Sequence, residues 1–181
     1  NTSVYTYSFE KAVTIREKLH VEQNLVIGHV GRFDAQKNHT FLLDIFSECV
    51  NIVPNARLLL VGDGEGRTQI QEKAKSLGLE EKVIFTGVRN DVADLLQAMD
   101  VFVFPSLYEG VPVTMIEAQA SGLPCVISDG VPKDCVITSG LVTSMKLSDR
   151  PCDWAKHIAA QLNRKRENHL EEIQAAGYDI V

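Results

Sequence analysis

Short runs of apolar residues alternate along this chain with longer segments in which apolar residues recur every three or four positions. The apolar runs cover residues 25–30, 57–61, 83–85, 101–104 and 125–128. A strand buried on both faces of a sheet has a continuous apolar sequence, whereas the wider spacing belongs to helices with one buried face. Asn38 and Asp91 stand where each can cap the helix that follows. The alternation predicts an α/β fold: a Rossmann-like, doubly wound parallel sheet with helices on both faces.

The pattern also divides the chain, which we interpret as a single domain over residues 1–181. We expect 1–24 to be a linker or ordered arm with a short helix, 25–145 to be the core sheet with one or two strands at 136–142, and 151–178 to be C-terminal helices. Because the first residue is not Met and the last ones directly follow a helix-like segment, we expect a piece of a longer protein.

The most informative stretch is 105–124, which lies between the fourth and fifth apolar runs. Gly110 and Pro112 mark a loop that turns into a helix, since Pro fits the first helical turn, and Gly122 ends that helix. In a doubly wound sheet, ligands bind at the carboxyl ends of the strands, which is where this loop falls. The free N–H groups of residues 111–114 face the same place and predict an anion site.

Chemically distinctive residues follow the other strands in the same way. They are Gly31, Arg32 and Lys37 after the first run, 62–64 after the second, and Gly87, Val88 and Arg89 after the third. Strand-end loops gather at one edge, so Arg32 and Lys37 are predicted to bring two cations to the helix after Gly110. Two cations and a helix N-terminus suit a diphosphate. The plainer alternatives are that Arg32 pairs with a surface acid and that Lys37 is solvated.

Two carboxylates flank the start of this helix. Glu109 lies in the loop, and Glu117 lies eight residues further on, one to two turns inside the helix. A polyhydroxylated ligand held on the helix N-terminus could therefore meet one carboxylate at each end. The alternative is that Glu109 supports the helix dipole and that Glu117 is solvated, which is common for acids near a helix N-terminus.

Composition excludes several other kinds of site. The formal net charge of −6 argues against a general nucleic-acid surface, and the four cysteines have no CxxC pairing or metal-ligand spacing, as expected for buried thiols of a reducing compartment. The glycines at 62–66 lack the Lys-Ser/Thr of a phosphate loop, and no G-x-G-x-x-G follows the first strand. His29 lies within a strand, and we interpret it as structural. No metal site is predicted.

Several short motifs occur in a fixed order. They are Gly31-Arg32 with Lys37, 61–64, 85–87, 98–100, 104–106, Glu109-Gly110, Glu117-Ala118 and 122–124. Together they resemble the C-terminal, donor-binding domain of the retaining group 1 glycosyltransferases, which have the GT-B fold. The resemblance covers about residues 1–178 and includes a Glu-x7-Glu signature at Glu109 and Glu117.

The resemblance implies a role for each matching position. The catalytic residues it implies are Arg32 and Lys37, on the donor diphosphate and leaving group, and Glu109, on the sugar hydroxyls. The resemblance also implies a set of donor-binding residues: Val88 and Arg89 at the base, Val111, Val113 and Thr114 through backbone N–H groups, Glu117 on the ribose, and Gly31 and Gly110. The departure from the family pattern is at Val111-Pro112, where Pro112 lacks the N–H that many members offer.

The resemblance also implies an activity. It is transfer of a hexose or hexose derivative from a nucleotide-diphosphate sugar, with a UDP-sugar favoured, to a polysaccharide or lipid-linked acceptor. The resemblance implies a metal-independent reaction, and the nucleotide sugar is a substrate rather than a cofactor, so no cofactor is implied. The partner is an N-terminal acceptor domain absent from this sequence, so we expect the isolated chain to be inactive. We expect a cytoplasmic protein that reaches the inner membrane surface only through that domain.

Two other interpretations remain open. A nucleotide-sugar epimerase half would share the two-domain architecture, although the spacing of Glu109 and Glu117 favours a transferase. The second is a non-catalytic α/β binding module, such as a phosphorylation receiver. A receiver needs an acidic cluster at the end of its first strand. This chain has Gly31 and Arg32 there.

Overall fold

The computed structural model describes residues 2–138 and 140–178, so the outermost residues of the predicted 1–181 domain lie outside the described ones. The strands are β1 (Leu25–Val30), β2 (Ala56–Val61), β3 (Val83–Phe85), β4 (Val101–Phe104), β5 (Cys125–Ser128) and β6 (Val142–Met145). The helices are α1 (Phe9–Leu19), α2 (His39–Ile52), α3 (Arg67–Ser76), α4 (Val92–Ala98), α5 (Val113–Ala120), α6 (Pro151–Gln161) and α7 (Leu170–Ala175). No helix in 2–138 or 140–178 is long and apolar enough to cross a membrane.

The six strands form one sheet in the order β3-β2-β1-β4-β5-β6. Every neighbouring pair is parallel, and β1 pairs with β2 along its whole length, from Leu25 opposite Ala56 to Val30 opposite Val61. The strand order reverses between β1 and β4, which is where doubly wound sheets bind their ligands. The predicted α/β fold class is confirmed.

Two apolar layers hold the helices against the sheet. Phe46 of α2 and Trp154 of α6 are buried on one face, and Leu96 of α4, Phe102 of β4 and Met115 of α5 are buried on the other. Burying a large apolar side chain contributes roughly 1.5–3 kcal/mol, so each layer is a substantial part of the stability. The two layers explain why the first five strands are nearly continuous apolar runs.

The prediction for the last strand was wrong. Residues 133–135 form a 3-10 turn, and β6 begins at Val142 rather than lying within 136–142. Val136 and Ile137 are held instead over α5, where the Gln119 side-chain oxygen accepts the Ile137 N–H at 2.9 Å. β6 is an edge strand in which only Met145 is buried and the middle residues are Thr and Ser, so it lacks the apolar run by which the other strands, including the opposite edge strand β3, were found.

The two predicted helix caps were also wrong. Asn38 precedes α2, but it has a left-handed φ of 54°, and its side chain donates to the Pro105 carbonyl at 3.1 Å instead of capping. The Asp91 carboxylate makes no cap and accepts from Arg89 at 2.6 Å. In both cases a better partner outside the helix competes for the polar side chain. The N-terminal residues are an ordered arm, because 2–5 form a 3-10 turn and Ser8 caps α1.

The segment after α6 packs closely against the ends of α4 and α5. The Arg166 guanidinium donates to the carbonyl oxygens of Leu96 at 2.6 Å, Ser121 at 3.1 Å and Met99, and burial lowers its pKa to about 10. Gly122 has a φ of +63°, and a Cβ there would lie 2.1 Å from the Glu167 carbonyl oxygen. Only glycine allows this approach.

Gly122→Ala is expected to lower the free energy of unfolding by ~2–5 kcal/mol, because it adds a backbone clash to an unfavourable positive φ. Gly78→Ala is the matched control, since Gly78 has a φ of +67° but a Cβ at this position would meet no heavy atom within 4 Å. It should cost only about 1–2 kcal/mol. Urea denaturation of both variants measures the difference, and equal losses would contradict the close packing.

Candidate functional site

The loops after β1 and β4 meet where the strand order reverses. The Leu107 N–H donates to the Gln36 carbonyl at 2.8 Å, and the Gln36 side-chain amide donates to the Tyr108 carbonyl at 3.0 Å. Asn38 adds its hydrogen bond to the Pro105 carbonyl. The two loops therefore form one unit, in which Lys37 and Glu109 are fixed relative to each other.

Lys37 and Glu109 form the central ion pair of this unit. The Lys37 Nζ lies 2.6 Å from the Glu109 Oε1, and the side chains are only 17% and 5% exposed. The Gln36 amide donates to the other Glu109 oxygen at 3.2 Å, and the Lys37 Nζ lies 4.8 Å from the centre of the Phe104 ring. The structure thus brings together two of the predicted catalytic residues, and it adds Gln36, which the sequence analysis missed although it adjoins Lys37.

The loops after β2 and β3 join the same edge through glycines. Gly62 has a φ of +134°, and a Cβ there would lie 2.1 Å from the Gly31 carbonyl oxygen. The Gly62 N–H donates to the Gly87 carbonyl at 2.9 Å. Val88, which follows, is 77% exposed, and Arg89 pairs with Asp91. The convergence of the strand-end loops is therefore as predicted.

The first turn of α5 faces open space. The N–H groups of Val113 and Thr114 donate to no acceptor within residues 2–138 and 140–178. Val111 and Val113 are exposed, and a Cβ added to Gly110 would meet no heavy atom within 4 Å. These unpaired N–H groups lie at the positive end of the helix dipole, so this turn can accept an anion. Pro112 precedes the helix rather than lying within it.

Arg32 stands apart from the ion pair. It is exposed, and its side chain forms no hydrogen bond or ion pair with any residue in the described ranges. It lines a cleft of about 650 Å³ between the starts of α2 and α3, and the cleft includes Glu65, Gln69 and Leu107 but none of the other predicted site residues. The structure therefore places Arg32 at the correct edge but not in contact with Lys37 or Glu109.

Glu117 has a partner that the sequence analysis missed. The Tyr5 hydroxyl donates a hydrogen bond to the Glu117 Oε1, although the two residues are 112 positions apart. Glu117 is half-buried, and burial raises the pKa of its carboxyl group, while the hydrogen bond from Tyr5 opposes that rise. The alternative of a simply solvated Glu117 is wrong. No local signal in the sequence could have revealed this contact.

The aromatic side chains of His29, His39 and Phe33 pack together next to the loop that follows β1. His29 is fully buried, with its Nδ1 2.9 Å from the Val103 carbonyl oxygen, and its ring centre lies 4.6 Å from that of His39. The His39 ring stacks on Phe33 at 4.2 Å. Burial lowers the pKa of both imidazoles, that of His39 to about 4, so both are neutral near pH 7. The structure supports a packing role for His29.

No group of three or more His, Cys, Asp or Glu side chains in the described part of the chain could hold a metal ion.

A family model described as glycosyl transferases group 1 matches residues 24–164. The chain belongs to this family.

Individual relatives agree with the family match. EpsF of Bacillus subtilis (strain 168), which carries a glycosyltransferase name, is 43% identical over 158 residues, covering 86% of this chain and 41% of the relative. The UDP-Gal:alpha-D-GlcNAc-diphosphoundecaprenol alpha-1,3-galactosyltransferase of Escherichia coli is 34% identical over 117 residues. The match covers 63% of this chain and 30% of the relative. This group 1 glycosyltransferase chain therefore spans less than half the length of these relatives.

A solved structure confirms the fold. Anabaena Alr3699/HepE, crystallised with UDP and glucose, superimposes with a TM-score of 0.79 at 22% identity, covering 99% of this chain and 48% of that one. The group 1 glycosyltransferase chain thus has the fold of one half of a GT-B enzyme, as the sequence predicts.

The buried ion pair of this glycosyltransferase domain should be strongly coupled. Lys37→Met and Glu109→Gln are each expected to lower the free energy of unfolding by about 2–3 kcal/mol, because each leaves a partner without its counterion. The loss of unfolding free energy in the double variant should be smaller than the sum of the two single losses by ~1–2 kcal/mol. The control cycle uses Lys11 and Asp94, an exposed pair at 3.5 Å, where the coupling should stay below ~0.5 kcal/mol. Denaturation curves provide all values, and equal couplings would refute burial of the central pair.

The free energy of unfolding should also depend on His39 below neutral pH. The folded pKa of about 4 lies below the unfolded value of ~6.5, so between these two values the unfolded chain binds more protons and stability falls as pH falls. The loss should total up to about 3 kcal/mol. His39→Phe should make the curve of unfolding free energy shallower between pH ~6.5 and about 4, with the part due to buried His29 remaining, whereas His157→Gln, at an exposed position, should leave it unchanged. Parallel curves for wild type and His39→Phe would contradict this.

Proposed function

We propose that this chain is the donor-binding half of a retaining glycosyltransferase that uses a nucleotide-diphosphate sugar, with a UDP-sugar favoured. The observation that carries the proposal is the enclosed Lys37–Glu109 pair beside the open first turn of α5. A cation, a carboxylate and unpaired N–H groups at one point match a ligand with a diphosphate and sugar hydroxyls. Glu117, further along α5, is the proposed ribose ligand.

The proposed chemistry follows from the charges that develop. When the bond between the anomeric carbon and the diphosphate oxygen breaks, negative charge collects on the departing diphosphate and positive charge on the sugar. The negative charge on the diphosphate is stabilised by Lys37, Arg32 and the N–H groups of Val113 and Thr114. Glu109 accepts hydrogen bonds from sugar hydroxyls and orients the sugar. No metal or other cofactor has a role in this proposal.

Binding of the donor requires the ion pair to open. Lys37 would exchange the Glu109 carboxylate for a diphosphate oxygen, which carries the same sign of charge. Glu109 would then be free to accept from the sugar, so one exchange of partners prepares both groups. Arg32 would turn from the neighbouring cleft to the diphosphate. Val88 and Arg89 would line the base, and Gly31 belongs to the same donor site.

The printed names of relatives support the choice of substrates. The Escherichia coli relative is named for a UDP-sugar donor and a diphosphoundecaprenol-linked acceptor, and the Anabaena structure contains UDP. We therefore propose a UDP-sugar as donor and a lipid-linked or polysaccharide acceptor, with transfer of a hexose or its derivative. The acceptor would bind an N-terminal domain in the part of the relatives that this chain does not span. We also propose a cytoplasmic location, with contact to the inner membrane surface only through that domain.

UDP titration of this chain tests the proposal. The expected dissociation constant is on the order of 0.01–1 mM, because half of the cleft is absent, and turnover of donor sugar should not occur. Glu117→Ala should weaken binding of UDP about tenfold to a hundredfold, the effect of losing a hydrogen bond to a charged group. Glu109→Gln should leave UDP affinity unchanged or raise it, because Lys37 no longer has to leave a carboxylate.

Glu171→Gln, on α7, is the control for loss of one exposed carboxylate and should bind UDP as the wild type does. Isothermal titration calorimetry with UDP and with UDP-glucose measures all four proteins. If Glu117→Ala and Glu109→Gln weaken UDP binding equally, the assignment of separate roles is wrong. Sugar turnover by this chain at an enzymatic rate would contradict the need for a second domain.

A further inference from the structure

We propose that Tyr5 is a positioning residue for Glu117: its hydroxyl holds the Oε1 and so presents the Oε2 to the ribose of the ligand. This inference rests on the proposed function, because it concerns how the ribose ligand is prepared. Its structural basis is the hydrogen bond from the Tyr5 hydroxyl to the Glu117 Oε1. The 3-10 turn that contains Tyr5 packs directly on α5.

The backbone of Tyr5 is itself held in place by a buried amide. Gln97 of α4 is 2% exposed, and its side chain donates to the Tyr5 carbonyl at 3.2 Å and accepts the Ser8 N–H at 2.9 Å. The Tyr5 ring packs against apolar residues of α5 and α7, among them Ile116 and Ile173. Tyr5 therefore reaches Glu117 from a rigid attachment, as a positioning group requires.

The hydrogen bond restricts a side chain that would otherwise rotate. A free glutamate has several rotamers, and fixing it on ligand binding costs affinity. Each carboxylate oxygen has about two acceptor sites, so Glu117 retains acceptor capacity on both oxygens while the hydroxyl fixes its orientation. The ribose hydroxyls would thus meet an oriented carboxylate.

The same contact favours the ionised form of Glu117. Burial raises the pKa of its carboxyl group, and a donated hydrogen bond stabilises the carboxylate against that rise. Burial and the Glu117 carboxylate raise the pKa of the Tyr5 phenol, which therefore remains a donor. Within 2–138 and 140–178, Tyr5 is the one ionisable side chain that bonds to Glu117. Removing its hydroxyl should raise the pKa of Glu117 further.

Tyr5→Phe tests the inference, with Tyr7→Phe as the matched control. Tyr7 lies in the same segment, but its ring stacks under Arg166, 4.6 Å from the guanidinium, and among the described residues the hydrogen bond to the Glu117 carboxylate comes from Tyr5. Binding of UDP to this chain is measured by calorimetry from pH 5 to 8. Tyr5→Phe should weaken binding about threefold to tenfold at pH 7.5. It should also move the loss of binding at acidic pH to a higher pH, whereas Tyr7→Phe should match the wild type.

Glu117→Gln separates this inference from the proposed function. In that background Tyr5→Phe should have no further effect on UDP affinity. If Glu117→Gln weakens binding but Tyr5→Phe matches the wild type at every pH, Tyr5 has no positioning role and the proposed function stands. If Glu117→Gln binds UDP as the wild type does, the ribose assignment fails, and the role of Tyr5 fails with it.

A measurement on the wild type keeps the test valid if Tyr5→Phe does not fold. Carbon-13 NMR follows the Glu117 carboxyl and the Tyr5 ring carbon next to the hydroxyl during a pH titration. Both signals should move with one shared midpoint, and adding UDP should lower that midpoint. If the chemical shift of the Tyr5 carbon does not change as Glu117 titrates, the inference is overturned.

Discussion

The reversal of strand order between β1 and β4 is the constraint on which the site depends. The chain continues from β1 towards β2 on one side and from β4 towards β5 on the other, so the two loops at the reversal are free to face each other. The hydrogen bond from the Leu107 N–H to the Gln36 carbonyl joins them. Lys37 and Glu109, 72 positions apart, can form an ion pair only because the sheet has this topology.

The ion pair in turn explains how these loops keep two charges nearly enclosed. Removing a charged group from water costs several kcal/mol, which attraction to a partner offsets only when the geometry is good and other hydrogen bonds are made. Lys37 and Glu109 meet this condition through their 2.6 Å contact, the Gln36 amide and the Phe104 ring. In the proposed function a diphosphate replaces Glu109 as the counterion, so an anionic ligand enters a site that is already charged and oriented.

Both ends of the described chain help to hold the helices that carry the site. Gln97 attaches the N-terminal turn to α4, and Arg166 donates to carbonyl oxygens at the C-terminal ends of α4 and α5, where a cation is favourable. Gly122 allows the same C-terminal segment to approach the backbone at the end of α5. The surroundings of Glu117 therefore depend on segments outside the sheet as well as on α5 itself.

The sequence by itself determined the five apolar strands, the helices between them and the edge at which the strand-end loops converge. These features follow from periodicity, which depends on neighbouring residues, and from the rule that parallel strands bind ligands at their carboxyl ends. Tertiary structure decided the rest: the edge strand at Val142, the use of Asn38 as a tie between loops, and the contact of Tyr5 with Glu117. Those outcomes depend on which polar groups meet after distant segments pack. A sequence pattern over neighbouring residues cannot identify partners that lie far apart in the chain.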